Sequence, residues 1–383
     1  MKPTITCLAW LFCLCIANAQ VKYETFNSNK LEEKRKLKIQ LPRDYEEDAE
    51  LRYPVVIVLD GDYLFEPVAG NVDYLSYWEE MPEAIVVGIM QNGTRDEDCF
   101  YDDTTYLPKN KGSSFFEFIG LELMPYLDAN FRTAPFRIVV GHDYTANFLN
   151  YYVLKDNPLF SGYVNLSPDL APKMEERVLT VLKNASTKIW YYNATGTNDI
   201  KGIRNDVVAM DKKLKAIENP NLIYNFNNFP EGTHYTVCAS GIPIALTKMF
   251  SIYPPISKKE YKEVVTKLED QSPYDYLVEK YSMIENLFGV KKQIRINDFL
   301  AVSTALEKNQ DWEALEKLGQ LAREHHPNSM LGNYYLGTFY EQVGEPKKAM
   351  RTYENGFLQE EVAFLTKDLL LEKIEQIKTD FGY

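Results

Sequence analysis

One short stretch of this chain, Val139-Val140-Gly141-His142-Asp143-Tyr144-Thr145-Ala146, has the residue types and spacing for chemistry on a substrate. A β-branched run ends at Gly141, a sharp turn follows, and Ala146-Asn147-Phe148-Leu149-Asn150-Tyr151-Tyr152 starts a helix. This is the context of a nucleophile elbow, in which small residues flank one side chain held above the end of a sheet. The central residue is ordinarily serine, whose proton an adjacent histidine removes. Here it is Asp143, which has no proton to lose at neutral pH, and the second small position, ordinarily glycine, is Thr145. Any histidine-dependent step has few candidates, because the sequence contains only four histidines.

The elements around this turn alternate. Arg35 to Leu41 has the period of two of a half-exposed strand. The runs Val55–Leu59, Ala84–Ile89 and Phe136–Gly141 are short and β-branched, as strands covered on both faces are. Ser113 to Leu127 predicts an amphipathic helix with serine near its start. Further strands are expected at Gly162–Leu166, Lys188–Tyr192 and Leu222–Phe226. Strands separated by helices predict an α/β fold with a doubly wound, mostly parallel sheet.

Composition bounds the rest. With 383 residues, 45% hydrophobic and 25% charged, the chain is long enough for two or three folded units. A net charge of -13 disfavours nucleic acid and anionic membrane surfaces as partners. Residues 1–19 read as a signal peptide: Lys2, the apolar run Leu8 to Ile16, and the small-x-small pattern Ala17-Asn18-Ala19. The apolar run is too short to span a bilayer, so the expectation is a secreted or periplasmic protein beginning at Gln20. Cleavage leaves only Cys99 and Cys238, which excludes a disulfide framework or a zinc site and leaves one disulfide or two buried thiols.

After Pro254-Pro255 the character changes to Lys-, Glu- and Leu-rich helical spacing, dividing the chain into an α/β unit over 20–255 and an all-α helical-repeat tail over 256–383. Asn333-x2-Leu336-Gly337-x2-Tyr340-x8-Ala349-x3-Tyr353-x2-Gly356 follows the tetratricopeptide pattern of small and large residues, with Asn333 in place of the usual tryptophan. A weaker copy places Ala314 and Leu318 35 residues earlier. Fewer than three such repeats are marginal alone, so the tail is expected to lean on the α/β unit. A protein partner on the tail and a tail without binding function both fit.

Several segments together resemble the putative-esterase (esterase D-like) family of α/β-hydrolases over residues 28–255. They are Ser28-Asn29-Lys30-Leu31 through Pro42, Tyr53-Pro54-Val55 through Leu59-Asp60-Gly61, Arg95-Asp96 after the Gly88-Ile89 strand, Phe131-Arg132-Thr133 before the elbow strand, Ser167-Pro168-Asp169, and Gly232-Thr233-His234-Tyr235. The resemblance implies that His234 is the base and that the acid lies in Thr195-Gly196-Thr197-Asn198-Asp199. Asp199 is the first choice and Asp206 the second. It also implies oxyanion donors at the backbone N–H groups of Tyr144 and Asp62, with no cofactor and no metal. Members of this family act on esters of small molecules, siderophores and glycan-linked acids, so a substrate of that kind is expected.

Aspartate at the elbow leaves three readings. Asp143 is a carboxylate nucleophile, as in the epoxide hydrolases and haloalkane dehalogenases that share the fold. Alternatively, the chain hydrolyses an ester with Asp143 attacking or orienting water, although two carboxylates beside His234 favour the imidazolium over the neutral ring that a base requires. Or the chain is a catalytically disabled, esterase-like binding protein. The acidic residues Asp96-Glu97-Asp98 and Asp102-Asp103 lack the alternating spacing of a calcium loop and are expected to be a solvated loop near the pocket mouth.

Overall fold

The computed structural model describes residues 21–43, 45 and 50–382, so the signal-like segment at residues 1–19 lies outside the described residues. The strands are β1 (Val21–Ser28), β2 (Glu33–Gln40), β3 (Tyr53–Val58), β4 (Ile85–Ile89), β5 (Thr133–His142), β6 (Gly162–Leu166), β7 (Ile189–Asn198) and β8 (Leu222–Thr233). They form one sheet in the order β1-β2-β4-β3-β5-β6-β7-β8. The pairs β1–β2 and β2–β4 are antiparallel, and the remaining pairs are parallel.

Alternation along the central strands explains the two apolar layers. Val56, Val58, Val86, Ile138, Val140, Val164 and Trp190 face one cluster, while Val55, Ile57, Ile85, Val87, Val139, Tyr163 and Tyr191 face the other. Successive side chains of a strand point to opposite faces, so a run that is apolar at every position must be covered on both. This is the doubly wound, mostly parallel sheet that the β-branched runs imply and the α/β-hydrolase fold that the resemblance implies, followed by an all-helical C-terminal region.

Two expectations need correction. Residues 113–127 do not form one regular helix. An α-helical piece (Lys111–Glu117) passes through a π turn (Phe118–Leu123) into a second α piece (Met124–Asn130). Pro125, which has no N–H to donate, sits where α geometry resumes. The acidic segment is not uniformly solvated either: Asp98 is fully buried and accepts from both terminal nitrogens of Arg35, from Thr94 Oγ1 and from Gln91 Nε2. A buried charge needs such partners, and the oppositely charged one, Arg35, lies 63 residues away in sequence.

The C-terminal helices include Pro273–Phe288, Ile296–Asn309, Trp312–His325, Leu331–Gln342, Pro346–Phe357 and Lys367–Phe381. Ser272, Asp311 and Thr366 cap three of them through side-chain oxygens that accept from Tyr274 N, Ala314 N and Leu369 N. Neighbouring helices approach closely at Gly337, where a Cβ would lie 2.3 Å from the Tyr353 ring. The region leans on the sheet through Phe288, whose ring lies 5.0 Å from Phe136 of β5 and 5.3 Å from Phe250. One continuous apolar cluster therefore runs from the sheet into the helices. Asp298 ties the junction, accepting from Ile256 N and Tyr281 Oη at 2.8 Å each.

Candidate active site

The elbow lies between β5 and the helix Tyr144–Val153. Asp143 has φ +59° and ψ -118°, a strained conformation for a residue with a side chain. Its backbone is fixed on both sides: its N–H donates to Leu166 O at 3.1 Å, and its carbonyl accepts from Asn147 N at 3.1 Å and Asp169 N at 3.3 Å. Glycine is required at 141, because a Cβ there would lie 2.7 Å from the backbone of Thr145. Thr145 itself is fully buried; its hydroxyl accepts from His142 N at 2.9 Å and donates to Asp60 Oδ2 at 2.7 Å.

The structure brings Asp143, Asp199 and His234 together at the carboxyl ends of β5, β7 and β8. His234 follows β8 immediately, before the helix Thr236–Met249. Its Nδ1 lies 2.8 Å from Asp199 Oδ1, and because a carboxylate can only accept, that nitrogen carries the proton. Nε2 is thereby left as the basic nitrogen, 3.7 Å from Asp143 Oδ1. Asp199 also accepts from Ser167 Oγ at 2.6 Å, Thr195 Oγ1 at 2.7 Å and Ile200 N at 2.7 Å. Burial alone would raise its carboxyl, yet these donors, with His234 first, hold it well below the usual carboxylate range. Asp206 is exposed on the helix Lys201–Leu214, and the carboxylate that accepts from His234 is that of Asp199.

Of the two expected oxyanion positions, Tyr144 follows Asp143 directly and Asp62 lies in the turn after β3, the strand that pairs with β5. Tyr144 is the first residue of its helix, where an N–H has no intrahelical acceptor. Asp62 has its backbone held by the preceding Gly61 N–H on Ile89 O at 2.8 Å. Its own carboxylate accepts from Gln91 N at 2.6 Å and Asn92 N at 2.8 Å.

Sequence reasoning missed the groups beneath the elbow. Arg95 donates from Nε to Asp60 Oδ1 at 2.7 Å, from Nη2 to Asp60 Oδ2 at 3.1 Å and His142 O at 2.9 Å, and from Nη1 to Asp143 Oδ2 at 3.1 Å. Burial opposes its charge, but hydrogen bonding and attraction to Asp60 outweigh that and raise it further, so it stays protonated. Asp60 is only 2% exposed and also meets the Tyr63 hydroxyl at 2.9 Å. That hydroxyl lies 2.9 Å from His142 Nδ1, while His142 Nε2 lies 3.0 Å from His234 O. Since a carbonyl only accepts, His142 Nε2 carries a proton, and burial followed by the neighbouring His234 keeps the ring from gaining a second. Asp169, beside the elbow, is pushed up by desolvation and then by Asp143. The signal for Arg95 was present in Arg95-Asp96, but nothing local shows that its guanidinium reaches residues 35 and 48 positions away.

Comparison with known proteins agrees with this fold. The putative esterase family matches residues 28–235. The chain belongs to that family. An uncharacterised protein from Capnocytophaga ochracea DSM 7271 is 31% identical with a TM-score of 0.81, covering 94% of this chain and 100% of that one, so the likeness includes the helical region. An IroE-like serine hydrolase from Shewanella oneidensis is 22% identical with a TM-score of 0.58, covering 79% of this chain and 99% of that one. The siderophore hydrolase EstA from Aspergillus nidulans is 12% identical with a TM-score of 0.51, covering 64% and 99%. At these identities the last two show a shared fold. No curated protein matches the chain. Among the described residues no group of three or more His, Cys, Asp or Glu side chains is arranged to hold a metal.

Proposed function

We propose that this member of the putative esterase family hydrolyses an ester-type bond through a water activated by His234, with Asp143 orienting that water. The hydrogen bond between His234 Nδ1 and Asp199 carries the reading, because it fixes the tautomer whose Nε2 can take a proton. His234 Nε2 removes a proton from water, and the hydroxide oxygen bonds to the carbonyl carbon. The oxyanion is received by the N–H groups of Tyr144 and Asp62. Collapse breaks the bond to the leaving oxygen, which takes the proton from Nε2, so that acid and alcohol depart and the histidine is neutral again. Asp143 Oδ1, facing Nε2 at 3.7 Å, accepts the second hydrogen of the water and stabilises the transient imidazolium.

The substrate in this proposal is a small-molecule, siderophore-like or glycan-linked ester. The protein is secreted or periplasmic after cleavage near Ala19, and the tetratricopeptide-like region at 256–383 takes a protein partner. Among the described residues no helix is long and apolar enough to cross a membrane. One observation favours a second reading: the ion pair from Arg95 occupies an oxygen of Asp143, as a disabled, ligand-binding esterase would tolerate. The elbow position of Asp143 keeps a third, in which its carboxylate attacks an epoxide or halide-bearing carbon. Assays of aryl esters, thioesters, epoxides and haloalkanes with wild type, Asp143→Ser and His234→Ala separate them. Ester turnover by wild type, lost in His234→Ala, supports the proposal. Turnover only by Asp143→Ser marks a disabled esterase.

A further inference from the structure

Both departures from the usual elbow sequence end on the same buried pair. Asp143, where serine is usual, receives Arg95 Nη1; Thr145, where glycine is usual, donates to Asp60, which holds the other edge of the Arg95 guanidinium. We infer that Asp60, Arg95 and Thr145 form a charge clamp in which Arg95 is the positioning residue that turns the Asp143 carboxylate towards His234. The inference rests on the hydrolytic reading above.

The geometry gives the clamp two effects. The first is orientation. Two edges of the guanidinium are committed to Asp60 and to His142 O, and the Tyr144 ring lies 5.3 Å from its central carbon, so Nη1 has a fixed direction. Asp60 is equally fixed by its backbone bond to Gln91 Oε1 at 2.9 Å and by the Thr145 and Tyr63 hydroxyls. Pairing Asp143 Oδ2 with such a rigid donor leaves Oδ1 as the oxygen that faces His234.

The second effect is charge. The groups facing His234 are Asp199 from the end of β7, Asp143 and His142 from the elbow, Asp169 from the loop after β6, and its neighbour Tyr235. The guanidinium bound to Asp143 offsets the charge of one of the two carboxylates that face His234.

The test is a double-mutant cycle on the full chain with p-nitrophenyl butyrate: Arg95→Gln and Arg95→Lys, each in wild type and in Asp143→Ser. The clamp predicts that Arg95→Gln lowers kcat at least about tenfold with KM nearly unchanged, moves the acid limb of the rate profile to higher pH, and is partly rescued by lysine. In the Asp143→Ser background the same change alters kcat less than about twofold. An equal loss in both backgrounds, or a loss confined to KM, overturns the inference. If wild type shows no turnover, the hydrolytic reading fails by itself. The clamp is then read from urea unfolding of Arg95→Gln, Asp143→Asn and the double variant: non-additive unfolding free energies retain the pairing, and additive ones remove it.

Discussion

His234 Nδ1 donates to Asp199 Oδ1 at 2.8 Å, and Asp199 is in turn held by three further donors from Ser167, Thr195 and the Ile200 backbone. The acid is therefore over-determined in position, and it fixes both the tautomer and the direction of the imidazole. Asp199→Asn replaces an acceptor with a group that can present a donor, allowing the opposite tautomer. Ester turnover is expected to fall about 10³-fold with KM little changed, within the range attributed to general acid–base catalysis. Steady-state kinetics on the two proteins checks this.

The same carboxylate makes stability depend on pH in one direction. Its folded-state value is depressed below the unfolded one, so its contribution is fully present above the unfolded carboxylate range, about pH 4. It is lost as pH falls further, through the depressed value. Urea midpoints of wild type and Asp199→Asn are expected to differ most at pH 6–7 and to converge below about pH 4.

The helical region should behave as part of the fold. Phe288 is fully buried between Phe136, Phe250 and Tyr253, with ring separations of 5.0, 5.3 and 6.2 Å. Truncating it leaves a cavity between the sheet and the first long tail helix, so Phe288→Ala is expected to cost about 3–5 kcal/mol. Chemical denaturation followed by tryptophan fluorescence reads this directly, since Trp190 lies 5.0 Å from Phe136 in the same cluster.

Both cysteines of the folded part should be silent towards thiol reagents. Burial first, then the charges of Asp60 and Asp199, push the Cys238 thiol up to about 12, and burial and Asp60 act likewise on Cys99. Both are free and buried. In a chain beginning at Gln20, labelling by a thiolate-specific reagent at pH 8 is expected to be negligible in native buffer and to reach two groups per chain in 6 M urea.

Asp143, Asp199 and His234 could be singled out because the segments that resemble the putative-esterase family are short and local: small residues around a turn, an aspartate after a strand, a Gly-Thr-His loop. The central strands were legible for the same reason, being unbroken β-branched runs. β1 was harder to read, since Val21-Lys22-Tyr23-Glu24-Thr25-Phe26 is an edge strand with several exposed positions and little apolar contrast. The Asp60–Arg95–Asp143 arrangement was not legible at all. Its members stand on three separate segments, and only the parallel packing of β3, β4 and β5 brings the ends of those segments together. Burial of Asp98 escaped notice likewise, because its partner Arg35 lies 63 residues away.

The central claim, that His234 activates a water which attacks the ester while Asp143 stays uncombined, is tested most directly by single-turnover hydrolysis in heavy-oxygen water. With protein in excess over ester, mass spectrometry of the product acid and of the peptide containing Asp143 locates the label. One heavy oxygen is expected in the acid and none in the Asp143 peptide. Label in Asp143, which a covalent ester cleaved at the aspartyl carbonyl would leave, or no hydrolysis at all, would contradict that claim.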